Sequence, residues 1–213
     1  EANPGTVDYG FFSGYRGAGV NRISVGIQSF QPRLLSFLGR VHTAEEGRKA
    51  LEVVSRAGFD NFSLDLIFAN PGQTLKELEG DLNAALEYRS PHLSAYNLTF
   101  EEGTPFHHEY RCGRMSALTE DEEIAMAELI DEKLGAAGLK RYEISNYALS
   151  NCHSRHNVNY WQLGDYLGLG AGAHSYLQAR MGPILRKRWS NEKNPGRYMS
   201  RISESGTAIT DRE

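Results

Sequence analysis

Three threonines, each with a glutamate three residues later, punctuate this chain: Thr43 with Glu46, Thr74 with Glu77, and Thr119 with Glu122. In such a capping box the threonine hydroxyl takes a backbone N–H of the first helical turn, and the glutamate reaches back to the N–H of the cap. Each box opens a run of apolar residues at helical spacing. The first run predicts a buried stripe of Ala50, Leu51, Val54 and Ala57, closed by Gly58. The second predicts Leu75, Leu78, Leu82 and Leu86, and the third Ile124, Ala127, Ile130 and Leu134, closed by Gly138. Ahead of each helix stands a segment of alternating character: "RISVGIQSF", "DNFSLDLIF" and "HLSAYNLTF". These predict strands at residues 22–28, 61–67 and 93–99. Strand followed by helix, repeated, is the pattern of right-handed parallel βαβ units. The expected fold is therefore α/β, a partial and open TIM-type barrel of parallel strands with outer helices. "TVDYGFFSGYRGAG" adds an earlier helix despite its glycines.

In such a barrel one face of each strand packs on the helices, the other looks inward, and the strand C-termini ring the ligand-binding mouth. Ile23, Val25 and Ile27 alternate with Ser24, Gly26 and Gln28; Phe62, Leu64 and Leu66 alternate with Ser63 and Asp65. Gln28, Asp65, Asn97 and Thr99 are expected near strand C-terminal ends, converging on one polar cavity. The plainer alternative is that Gln28 and Asp65 merely satisfy neighbouring backbone groups. Apolar residues make up 40% of the chain and charged residues 23%, which suits a globular protein with a substantial core. A net charge of −4 gives no basic field for nucleic acid, and the short "RKRW" run at 186–189 reads as a solvated strand edge. No apolar run is long enough to span a membrane, and nothing resembles a secretory signal. Two cysteines, Cys112 and Cys152, make neither a disulfide framework nor a metal-ligand spacing, and they read as reduced thiols of a cytoplasmic protein. "GLGAGAHS" lacks the strand–turn–helix context of a dinucleotide site.

"EANPGT", "GVNRISVGIQSF", "LGRVHT", "NFSLDLIFANPGQT", "YEISNYA", "RHNVNYW" and "DYLGLGAGAHSYL" together resemble the radical S-adenosylmethionine (SAM) proteins of the HemN/HemW group. That group contains an oxygen-independent coproporphyrinogen III oxidase and a heme chaperone, and "HNVNYW" with "GAHS" resembles the chaperone branch. The resemblance covers nearly the whole chain. It implies SAM-binding roles for Glu1 (ribose hydroxyls), Gln28, Arg40 (the methionine end, where a guanidinium suits a carboxylate) and Asp65, with Thr99 and His174 as further SAM positions. Without the resemblance, Arg40 reads as an ordinary solvated arginine. "FANPGQT" departs from the usual "YGLPGQT", placing Ala69 and Asn70 where Gly and Leu are expected; this alters loop geometry and removes no ligand.

The larger departure concerns iron. The resemblance implies a [4Fe–4S] cluster on a Cys-x3-Cys-x2-Cys motif, and Cys112 and Cys152 cannot supply three thiolates. The expectation is that the chain is the middle of a longer protein: residues 1–150 the later part of the barrel, and 151–213 an extension leading toward a further domain. It carries no catalytic residue and no metal ligand of its own. In "RHNVNYW", His156, Asn157, Tyr160 and Trp161 form a candidate heme or porphyrin site, an imidazole for iron and rings to stack on a macrocycle. The alternative is a structural loop whose rings pack. His153, Cys152 and the pair His107 and His108 are weaker candidates. Three functions follow: a SAM- and cluster-binding protein that carries or inserts heme, with a heme-acceptor protein as partner; SAM-dependent oxidative decarboxylation of coproporphyrinogen III; or a SAM-binding barrel without redox chemistry.

Overall fold

The computed structural model describes residues 1–178 and 186–212, and two compact units part between His153 and Ser154. In the first unit, the expected strands form at Ile23–Gln28 (β1), Phe62–Phe68 (β2) and His92–Asn97 (β3), and both pairings are parallel. The sheet does not close. Beyond β3 it continues with two short antiparallel strands, β4 (Lys140–Arg141) and β5 (Asn146–Ala148), in the order β1-β2-β3-β5-β4. That reversal is not signalled by any strand pattern in the sequence.

Helix α1 (Tyr9–Gly17) forms in the glycine-rich N-terminal segment, with the Asp8 carboxylate accepting from the N–H groups of Gly10 and Phe11. After β1 come α2 (Pro32–Phe37) and α3 (Ala44–Arg56); α4 (Leu75–Glu87) follows β2, and α5 (Pro105–Arg111) and α6 (Glu120–Ala136) follow β3. All three capping boxes are made, at Thr43, Thr74 and Thr119, each contributing about 0.5–2 kcal/mol to helix stability. The apolar strand face, with Val25, Ile27, Leu64 and Leu93 essentially inaccessible, is covered by Leu51 and Val54 of α3 and Leu78 and Leu82 of α4. Ile130 and Leu134 of α6 complete the layer.

Two residues of the expected stripes are exposed, and Ala127 is only half-buried. Leu75 stands in the first turn of α4, beyond the end of the core, and is 46% exposed. In α6 the buried stripe runs Met126, Ile130, Leu134 at intervals of four, and Ile124, turned well away from that line, is 50% exposed.

The second unit holds α7 (Arg155–Trp161), β6 (His174–Gln178), β7 (Arg186–Asn191), α8 (Pro195–Ser205) and β8 (Ile209–Arg212). Its sheet is antiparallel in the order β6-β7-β8. The "RKRW" run therefore lies in the central strand rather than at an edge. Arg186, Lys187 and Arg188 are nonetheless exposed, as a solvated run should be. The glycine-rich segment leads into a strand, β6, through a tight turn. A Cβ on Gly168 would lie 2.1 Å from the His174 carbonyl oxygen, so only glycine fits there. Among the described residues no helix is long and apolar enough to cross a membrane.

Candidate functional site

The inner face of the first unit's sheet is polar because every second residue of its strands is. Register sets Ser24 beside Ser63, Ser63 beside His92, Asp65 beside Ser94, and Ser94 opposite Asn146. Both oxygens of Asp65 accept from the Ser24 hydroxyl, at 3.0 and 2.9 Å, and one accepts from Ser63 at 3.3 Å. Burial raises the Asp65 pKa above the ordinary carboxylate value. The hydroxyls of Ser94, Ser24 and Ser63 oppose the shift, and the charge of Glu1 adds to it. Asp65 lies in the middle of β2, not at its C-terminal end.

Behind the carboxylate, Ser63 Oγ lies 2.7 Å from Nδ1 of His92, and the Tyr142 hydroxyl lies 2.8 Å from its Nε2. Tyr142 stacks on His153, ring centroids 4.2 Å apart. Burial, with the positive charges of Arg22 and His153, holds the His92 pKa down at about 3, so its imidazole is neutral at ordinary pH. Ser94 donates to Asn146 Oδ1 at 2.7 Å, and the Asn146 amide donates to Glu143. This network was missed from the sequence, although His92, Ser63 and Ser94 alternate with Leu93 and Leu64 on the face that carries Asp65.

Glu1 is brought to the same edge. Ala2 donates to the Ser24 carbonyl at 2.8 Å and accepts from Gly26 at 3.0 Å, so the "EAN" segment pairs with the free side of β1. Gln28 ends β1 at a register shift, where it pairs with Leu66, and its φ is +68°. The Ser29 N–H donates to the Ile27 carbonyl at 2.9 Å, which makes Gln28 the centre of a γ-turn of the rare positive-φ kind. For a residue with a Cβ this costs on the order of 1–3 kcal/mol. The turn folds the Gln28 side chain back over Gly26, where a Cβ would stand 2.8 Å from Gln28 Nε2 and 3.6 Å from Asn3 Oδ1. Glycine at 26 thus makes the space that the Gln28 amide occupies.

Arg40 follows α2 and Gly39, whose φ is +64°, with its backbone N–H on the Leu35 carbonyl. Two residues on, buried His42 places Nε2 3.1 Å from the Ile27 carbonyl and ties this loop to the C-terminal end of β1. Arg40 Nε is buried without a hydrogen-bond partner. A buried guanidinium N–H left unpaired is costly, and Arg40 Nε is a donor with no acceptor among the described residues.

Two expected members stand apart. Thr99 lies past the end of β3, exposed, donating to Glu101 at 3.0 Å, and Asn97 donates to Glu123 at 2.8 Å. Neither lines the polar face around Asp65. In the loop after β2, Ala69 takes a φ of +58°, and Asn70 is fully buried with its Oδ1 unpaired, as is Gln73 Nε2.

In the second unit, "RHNVNYW" is helical, with the Ser154 hydroxyl as cap and no residue of the helix buried. His156 and Tyr160, one turn apart, meet edge to face at 4.6 Å, and Tyr160 meets Tyr166 likewise. Trp161 is 56% exposed. Asn157 gives its backbone N–H to Ser154. His174 opens β6, opposite Ser190. Cys112, exposed, sits 3.7 Å from His108 Nε2, and the Cys152 carbonyl accepts from Arg22. Among the described residues no three His, Cys, Asp or Glu side chains gather as a metal site.

Comparison with known proteins gives this geometry a class. Residues 1–85 match the radical SAM superfamily. The fold resembles that of the Escherichia coli coproporphyrinogen III oxidase HemN, a radical SAM enzyme, with a TM-score of 0.77 at 20% identity over 98% of this chain and 49% of that one. The chain belongs to the radical SAM superfamily. Within it, the chain is a member of the HemN/HemW group: it is 41% identical to the heme chaperone HemW of Escherichia coli over its whole length and 40% identical to that of Bacillus subtilis over 99%. It spans 55% and 54% of those two relatives, about half their length.

Proposed function

We propose that this chain supplies the SAM-binding sheet face and a heme-binding helix of a heme-carrying or heme-inserting protein. The observation that carries the SAM reading is the unpaired, buried Arg40 Nε beside a loop anchored to the end of β1. A guanidinium in that state suits the carboxylate at the methionine end of SAM. Gln28, held over Gly26, offers both an amide donor and an acceptor; Glu1 suits the paired ribose hydroxyls; Asp65 adds an acceptor on the same sheet face. Bound SAM supplies an activated carbon–sulfur bond. The residues present do not fit a [4Fe–4S] cluster, because the chain's two cysteines cannot make three thiolate ligands, and no step through a cluster is assigned to them.

The heme reading rests on α7. His156 presents an exposed imidazole, and Trp161 an exposed indole, on a helix with nothing buried, so iron and macrocycle can both be reached without unfolding. The relatives' description as heme chaperones supports it.

The test uses the full-length, cluster-loaded protein. Calorimetric titration with SAM should show binding that Arg40→Met weakens at least tenfold, the scale of a lost charged hydrogen bond at about 1.5–3 kcal/mol. Hemin titration followed in the Soret band should show binding that His156→Ala weakens and Arg40→Met leaves alone. Turnover of coproporphyrinogen III without stable heme binding would replace the carrier function with the decarboxylase.

A further inference from the structure

Asp81 is the one charged side chain on the buried side of α4, and it is 1% exposed. It forms no salt bridge among the described residues. Among the described residues, the three hydrogen bonds its carboxylate accepts all come from the residues immediately after Gln28. One oxygen accepts from the Ser29 hydroxyl at 2.6 Å; the other accepts from the Phe30 N–H at 2.8 Å and from Gln31 Nε2 at 3.4 Å. The Gln31 N–H returns to the Ser29 hydroxyl at 3.0 Å, closing the ring. Gly80 keeps the neighbouring space open, since a Cβ there would lie 3.1 Å from Gln31 Nε2.

This clasp has a specific load. The γ-turn at Gln28 is strained and is closed by a single bond between Ser29 and Ile27. Without an external anchor, the segment would relax to a negative φ at residue 28 and swing the amide off Gly26. His42 anchors the turn before Gln28, through the Ile27 carbonyl, and Asp81 anchors it after.

We infer that Asp81 is a positioning residue for ligand binding: by clasping Ser29, Phe30 and Gln31 it holds Gln28 in the γ-turn that presents its amide to SAM. The inference rests on the SAM reading above. It goes beyond that reading in assigning a role to a helix residue on the opposite, dry side of the sheet.

A double-mutant cycle on the full-length, cluster-loaded protein tests it, with SAM affinity by calorimetry and melting temperature measured in parallel. Asp81→Asn should weaken SAM binding about tenfold when Gln28 is present, and about twofold or less in a Gln28→Leu background, because the side chain it positions is then absent. The melting temperature should fall by similar amounts in both backgrounds. Ser29→Ala, which removes one bond of the clasp and keeps the carboxylate, should weaken SAM binding in the same direction, and it serves if Asp81→Asn does not fold. Equal loss of affinity in the two backgrounds would make Asp81 a general structural residue and overturn the inference, as would unchanged affinity in Asp81→Asn or Ser29→Ala. No SAM binding by the unsubstituted protein would overturn the parent reading, and this one with it.

Discussion

His92 is the group whose protonation the first unit tolerates least, and the consequence is measurable. Its imidazole, wedged between Ser63 and Tyr142, has its pKa lowered from 6.5 to about 3 by burial and by the nearby positive charges of Arg22 and His153. An unfolded chain takes up this proton near pH 6.5 and the folded chain does not, so the unfolded state binds more protons in the window between the two values. Stability is therefore full above pH 6.5 and falls with acidification, at about 1.4 kcal/mol per pH unit well inside the window. With those two values the loss between neutral pH and pH 5 comes to roughly 2 kcal/mol from this residue alone. The buried carboxylates Asp65 and Asp81 act with the opposite sign. Their raised values mean that the folded state holds the acid proton more tightly, so they restore some stability as pH falls. The perturbation that isolates the histidine is His92→Gln, which keeps an amide to face the tyrosine hydroxyl and cannot titrate. Urea unfolding at pH 7.5 and pH 5.0 should show the unsubstituted protein losing about 2 kcal/mol more than the variant across that interval, the carboxylate contributions cancelling in the difference. Parallel losses would refute the reasoning: His92 would then be either protonated in the folded state or reached by solvent.

Leu82→Ala, at a fully inaccessible position between α4 and the sheet, should cost about 2–5 kcal/mol in urea unfolding and leave hemin affinity unchanged. Gly168→Ala drives a Cβ to 2.1 Å from the His174 carbonyl oxygen and 2.9 Å from Ala173 Cβ, so the start of β6 must shift; the cost should be at least 1–3 kcal/mol, read as accelerated proteolysis of the second unit. The control is Gly5→Ala, where nothing lies within 4 Å and no change is expected.

Local signals carried far in this chain. The capping boxes mark helix starts because the cap is a contact between residues three apart, and the parallel strands announce themselves because their two faces differ in polarity. What the sequence conceals depends on distant partners. Ser94 reads as one more small strand residue until β5, fifty residues later, turns back and sets Asn146 against it. Gln28 is legible as an oddity, but its positive φ is not: a register shift and a γ-turn are properties of the strand end in its tertiary setting. Asp81 was legible in principle. It falls three residues after Leu78, on the buried side of a helix, and a carboxylate there demands a donor set.

The donors that hold Asp65 explain how a carboxylate stays buried on the polar face without an ion pair. A carboxylate that is buried must be compensated, and a direct ion pair with an arginine would do so while cancelling its charge. Asp65 is compensated instead by serine hydroxyls, two of them bonded to it from Ser24 and Ser63. Hydroxyls lower the cost of desolvation without neutralising the group, which is why the pKa remains raised rather than depressed. The same logic runs through Arg40, a cation whose Nε is buried and unpaired, and through Gln28, whose amide is held by backbone strain and a remote clasp rather than by an ion pair. Of these three groups, Arg40 Nε is the one buried with no partner among the described residues, whereas Asp65 accepts from Ser24 and Ser63. An unpaired donor lowers the stability of the chain by itself. A buried, unpaired guanidinium N–H is hydrogen-bonding capacity that an incoming acceptor, the ligand carboxylate of the proposed function, would complete.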